Sequence, residues 1–205
     1  MIEPLVLLAF LPAALALNLT PGADMMFCLG QGMAAGPRAA VAASAGISAG
    51  VLVHVALAGL GLGAAVAAFP WLFGAIRWAG AAYLLWLAWR TLRAPLAGPV
   101  VPKRAARAFR EGLVVNLSNP KVILFVLAFV PQFVDAARPV LPQFLALGAV
   151  LALGGFVVNA AVGVFSGRVG GVLLRSARAE RGLRVGSAGI FAGLGLRIGW
   201  EAARG

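Results

Sequence analysis

Charge is scarce in this chain, and acids are scarcer than bases. Only 11% of its 205 residues are Asp, Glu, Lys or Arg, and six acids stand against seventeen Lys and Arg. Soluble domains carry about a quarter charged residues, so a water-facing shell cannot be drawn around this one. There is a single cysteine, Cys28, inside an apolar run. That excludes a disulfide framework and a thiolate metal cluster. One histidine, His54, and scattered acids supply no metal-ligand set, so no metal is expected. Gly59, Gly61 and Gly63 follow no strand pattern and open no phosphate loop, so no nucleotide cofactor is expected either.

What is present is apolar: 62% hydrophobic residues and a mean hydropathy of +0.98. The solvent this composition suits is lipid. A hydrocarbon core of ~30 Å needs roughly 20 apolar residues as a helix. Such spans are predicted near 4–33, 40–69, 71–92, 112–133, 140–165 and 185–200, separated by Pro, Gly and basic stretches. The expected fold is all-α, a single polytopic transmembrane domain. The N-terminus carries Glu3 and no Lys or Arg before its first apolar run, unlike a cleaved signal peptide.

The net charge of +11 comes from clusters between apolar runs. Arg90, Arg93, Lys103, Arg104, Arg107 and Arg110 form one, and Arg168, Arg175, Arg178, Arg181 and Arg184 the other. Without interleaved aromatics for base stacking, they predict no nucleic-acid partner. With Arg38 they lie in the connections after spans one, three and five. The bias of Lys and Arg toward the cytoplasm then places these loops inside and both termini outside. Arg197, in the last span, is expected to snorkel to the interface.

Asn18-Leu19-Thr20-Pro21 in the first span is echoed by Asn116-Leu117-Ser118-Asn119-Pro120 in the fourth. Each opens a half of three spans, approximately 1–92 and 110–205, joined by the basic loop 93–109. Three is odd, so the halves are expected to be inverted, and paired broken helices in inverted repeats mark transporters. The candidate translocation path is therefore Asn18, Thr20, Pro21 and Asp24 with Asn119, Pro120 and Lys121. Asp24 costs roughly 2.5–3.5 kcal/mol at mid-bilayer, which suggests a function, although an Asp there also suits the cap of a half-helix. Lys121 is its natural counter-charge, or a snorkelling cation.

His54, central in the second span, is a candidate proton relay or a hydrogen-bonded packing residue. Asn159 is a mid-span polar residue and a candidate for selectivity. Gly46 and Gly50 share a helix face with His54. Like Gly189 and Gly193 in the last span, they form a small-residue strip for helix packing within the bundle or between subunits of a homo-oligomer. Gly46-Ile47-Ser48-Ala49-Gly50 matches a hydrolase nucleophile elbow in letters only, since that elbow needs a strand before it. Tyr83, Trp86 and Trp89 followed by Arg90 look like an interfacial belt.

These residues together resemble the lysine exporter and homoserine/threonine resistance (LysE/RhtB-type) translocators. The resemblance rests on Asn18 through Asp24, Gly46/Gly50/His54, Gly80 through Leu87, Phe109-Arg110-Glu111-Gly112, Asn116 through Lys121, and Phe129-Val130-Pro131-Gln132-Phe133. It departs where relatives often have a second proline between Pro21 and Asp24. The resemblance implies a six-helix bacterial inner-membrane exporter of amino acids or close derivatives. It further implies coupling to the proton or membrane potential, with the Asp24 and Asn119-Pro120-Lys121 segments facing the path. A non-transporting membrane scaffold is the alternative class.

Overall fold

Interruptions in the apolar runs become breaks in helices. The computed structural model describes residues 3–68, 71–93, 105–166 and 177–204. Helix α1 (Pro4–Leu19) ends where the Thr20 amide and hydroxyl both turn back to the Ala16 carbonyl. Pro21 has no N–H to extend it. After extended Gly22, α2 (Ala23–Ala35) sets off at 53° to α1. It stops at Gly36, whose φ of 85° is a left-handed conformation that glycine enters without a Cβ penalty. Pro37 then opens α3 (Pro37–Ala68).

The second half repeats the device. After α4 (Leu72–Arg93), α5 (Ala105–Leu117) ends before Asn119, whose side chain accepts from the Lys121 amide at 3.0 Å. With Pro120 in the first helical position, this is a strong start signal for α6 (Pro120–Ala128). A 3₁₀ turn, Val130–Phe133, continues α6, and this segment bends 55° from α5. Helices α7 (Val140–Val164) and α8 (Ala177–Arg204) complete the order.

Helix α3 packs against α5 and α7, α4 against α8, and α2 between α3 and α7, while α1 lies on α7 and α8. Backbones approach closely where glycine permits. A Cβ on Gly46 would strike the Phe109 carbonyl, one on Gly112 the Ala43 carbonyl, and one on Gly32 the Gly163 carbonyl. At the end of α1 away from its break, Phe10 meets Phe125, Phe129 and Phe133 at centroid distances of 6.4, 6.1 and 5.3 Å.

The distribution of polarity is that of a membrane protein. Leu5, Leu8, Leu57, Leu60, Leu153, Val157, Leu196 and Trp200 are exposed, while Thr20, Asp24, Gln31, Ser44, Asn116, Asn119 and Asn159 are buried. Among the described residues, two helices, α3 and α7, are long and apolar enough to cross a membrane, or four spans if each bent pair is one.

Several expectations need correction. The helix of the fourth span begins before 112, because α5 extends back to Ala105 on a polar turn tied by Arg107 and Glu111 at 3.3 Å. The last helix likewise runs beyond 185–200, over 177–204. Gly189 and Gly193 have no neighbour within the described chain, so they serve no packing inside the bundle, and packing between subunits is not tested by a single chain; Gly195 lies near the Ala81 carbonyl and Leu85. Arg197 is exposed. Lys103, Arg104, Arg168, Arg175 and most of the joining loop 93–109 lie outside the described residues.

Candidate functional site between two broken helices

The two breaks cross. Lys121, in the first turn of α6, reaches back to the end of α1, its Nζ donating to the Leu17 carbonyl at 3.0 Å and the Thr20 carbonyl at 3.2 Å. A cation at a helix C-terminus satisfies orphan carbonyls and complements the dipole. In return Asn116, in the last turn of α5, donates through Nδ2 to Asp24 Oδ2 at 2.9 Å in the first turn of α2. Each half thus holds the other across its own interruption.

Two expectations for these charges change accordingly. Lys121 does not snorkel, and it does not pair directly with Asp24: each charge has a neutral partner, and no ion pair joins them among the described residues. Nor does Asp24 cap α2, because that role falls to Gly22 with no side-chain bond. Backbone supplies the answer for Lys121, since α1 stops with free carbonyls within its reach.

Both charges line one cavity of ≈ 20 Å³ with Asn18, Thr20, Ser48 and Asn159 as the other polar walls and Leu17, Ile47, Val51, Val122 and Leu151 as apolar ones. That volume admits about one water. Asn18 is fixed there by its Nδ2 bond to the Leu151 carbonyl at 3.2 Å. Three acceptors are buried with no hydrogen-bond partner among the described residues: Asp24 Oδ1 and Asn159 Oδ1, whose residues line this cavity, and Asn116 Oδ1, on the residue that donates to Asp24. Buried acceptors left open in this way call for a donor.

Thr20 and Lys121 also line a second, larger cavity of ≈ 220 Å³ on the other side of the breaks, with Pro21, Gly22, Ala23, Leu87, Arg90, Thr91, Asn119 and Pro120. The structure therefore places the candidate path residues Asn18 and Asp24 at the small cavity, together with the selectivity candidate Asn159, places Pro21, Asn119 and Pro120 at the larger, and places Thr20 and Lys121 at both.

His54 stands apart. It lines neither of these cavities; its Nε2 lies 3.3 Å from the Asn116 carbonyl, and it faces a separate apolar cavity of ≈ 480 Å³. Ser48 donates to the Ala152 carbonyl at 3.0 Å, so Ser48 and His54 form no hydrogen-bonded dyad. Gly46 and Gly50 do serve packing, and at Gly50 a Cβ would press into the Asn116 side chain. Two positioning residues were not singled out from sequence. Asn116 was visible only as part of the echoed motif, and Tyr83, expected in an interfacial belt, donates to the Lys121 carbonyl at 3.0 Å.

The model of the LysE type translocators matches residues 15–201, a stretch that includes both breaks and every residue of the two cavities. The chain belongs to this family. Among the chain's relatives, a membrane protein of Vibrio cholerae without a named activity is 40% identical over 69% of this chain and 71% of its own length. The homoserine/homoserine lactone efflux protein of Salmonella typhimurium is 38% identical over 68% of this chain and 70% of its own. The leucine efflux protein of Klebsiella pneumoniae is 35% identical over 62% and 63%. No solved structure matches the chain. It is a multi-pass membrane protein of a transport family.

Proposed function

We propose that this translocator exports amino acids or close derivatives across the bacterial cytoplasmic membrane by alternating access, coupled to the proton motive force. In this reading α1–α2, α3, α4, α5–α6, α7 and α8 are six spans in an inverted three-plus-three arrangement. The similar bends at Thr20-Pro21-Gly22 and Ser118-Asn119-Pro120 support that arrangement, and the efflux activities named for two relatives support the substrate class.

The observation that carries the reading is the pair of open acceptors, Asp24 Oδ1 and Asn159 Oδ1, in a cavity shared with Lys121. An ammonium group has three donors and a positive charge, which suits a carboxylate beside an amide oxygen. At ≈ 20 Å³ the cavity is too small for a whole amino acid, so loading requires the crossed half-helices to part. Asp24 is also the group whose protonation would couple transport to a proton gradient. His54 is a second candidate for that relay, acting on the site through the Asn116 backbone.

Efflux from cells preloaded with dipeptides tests the proposal. Faster release of at least one amino acid than in vector controls is expected, with loss of that release in Asp24→Asn at matched membrane expression. No acceleration across a broad panel would defeat the exporter reading. Release unaffected by an uncoupler would defeat the proton coupling alone.

A further inference from the structure

The larger cavity differs in electrostatic sign from the small one. Its lining holds Lys121 and Arg90 and no acid. The Arg90 guanidinium is stacked over the Trp86 ring, 5.0 Å from its centroid, which restrains the head group of an otherwise exposed side chain. The N-terminus of α2 opens at this cavity through Gly22 and Ala23, with no side chain capping its first amides. Uncapped amides at the start of a thirteen-residue helix favour an anion.

A second observation is independent of the helix end. Asn119, 5% exposed, lines this cavity. Its Oδ1 is used in capping α6, while its Nδ2 is buried without any acceptor among the described residues. Residues of the small cavity therefore hold unpartnered acceptors, and the larger one is lined by a residue with an unpartnered donor. Lys121 keeps a third N–H beyond its two carbonyl bonds, and the ideal Cβ position of Gly22 is only 3.3 Å from its Nζ. A side chain at Gly22 would stand between the ammonium and the helix end.

We infer that the larger cavity is a carboxylate-binding vestibule, formed by Asn119 Nδ2, the Lys121 ammonium, the first amides of α2 and Arg90. Its ligand is the carboxylate of the transported amino acid. The inference rests on the export reading for the source of that carboxylate, while the site itself is a binding site for the charge. Because Thr20 and Lys121 belong to both cavities, a zwitterion held here by its carboxylate lies one side chain away from the ammonium site at Asp24. The vestibule therefore orients the substrate before the half-helices part.

The test uses the full-length protein in nanodiscs and measures binding of leucine, threonine and homoserine, each beside its carboxamide, with acetate as a probe of the charge alone. Asn119→Asp keeps the capping acceptor but replaces the donor with a negative oxygen; Arg90→Gln removes the outer charge. Intact protein is expected to bind at least one acid about tenfold or more tightly than its amide, as loss of a charge-assisted hydrogen bond implies. Asn119→Asp should lower the affinity for that acid by a similar factor and leave the amide within about twofold, with Arg90→Gln intermediate. Equal affinity for acids and amides, or no binding of any acid or acetate, overturns the vestibule. Stabilisation by anionic lipid alone, with no response to the acids, assigns the charges to a phosphate headgroup and overturns it too. Efflux measured in parallel separates the two readings: export without acid preference leaves the exporter standing and removes the vestibule, and acid-selective binding without export does the reverse.

Discussion

Asp24 and Asn116 form the contact on which the centre of the molecule depends, because the carboxylate receives one protein hydrogen bond and Asn116 is fully buried. Removing a donor from a buried carboxylate leaves its desolvation uncompensated, at about 1–3 kcal/mol or more for a charged group. Asn116→Leu is therefore expected to destabilise the protein by roughly 2–3 kcal/mol, read as a shift in denaturant-induced unfolding in detergent. In the Asp24→Asn background the same change should cost less, since no charge is stranded. A double-mutant cycle should return a coupling of about 1–3 kcal/mol; purely additive effects would show that the contact contributes nothing. Tyr83→Phe removes only the bond to the Lys121 carbonyl, and about 1 kcal/mol is expected from the same measurement.

Among the elements, α3 and α5 are held by the glycine faces that bring Gly46 against the Phe109 carbonyl and Gly112 against the Ala43 carbonyl. Backbone atoms cannot swing aside as a flexible side chain can. Gly46→Leu or Gly112→Leu is expected to abolish the monodisperse peak in fluorescence-detected size exclusion of membrane extracts, whereas Gly189→Leu, with open space around it, should leave the peak intact. The strip containing Gly46 and Gly50 was legible in sequence because the residues recur every four positions. Gly112 was not, because its partner Ala43 lies on another helix. The same limit explains the charges. Two half-helices interrupted by Pro21 and Pro120 can be read from sequence, and so can an acid and a base beside the breaks. That Lys121 would take the carbonyls of Leu17 and Thr20, leaving Asp24 to Asn116, depends on how the breaks cross, and no local pattern encodes a crossing. Asn159 was legible as a polar residue in an apolar span, but its place in the same cavity as Asp24 needed α7 to be packed against α2.

Over the whole molecule, charge is segregated by end. The start of α3 with Arg38, the end of α4 with Arg90 and Arg93, the start of α5 with Arg107 and Arg110, and the start of α8 with Arg178, Arg181 and Arg184 carry the cations. The opposite end carries Glu3, Asp135 and Arg138, with Arg138 reaching Glu3 at 3.5 Å and Asp135 at 3.1 Å. In the proposed orientation, which rests on the distribution of Lys and Arg, the first end faces the cytoplasm. The larger cavity is lined by Arg90 and Thr91 from that end of α4, while the Phe10, Phe125, Phe129 and Phe133 cluster lies on the other side of the breaks. An exporter loads from inside, so orientation and direction of transport stand or fall together. Cys28 is fully buried and gives a silent background for single introduced cysteines. On intact cells a membrane-impermeant maleimide is expected to label Ala137→Cys and spare Arg107→Cys, both exposed positions, with the pattern reversed in inside-out vesicles. Labelling of Arg107→Cys from outside would turn the basic cavity toward the exterior, where the same charges would receive substrate for uptake instead of export.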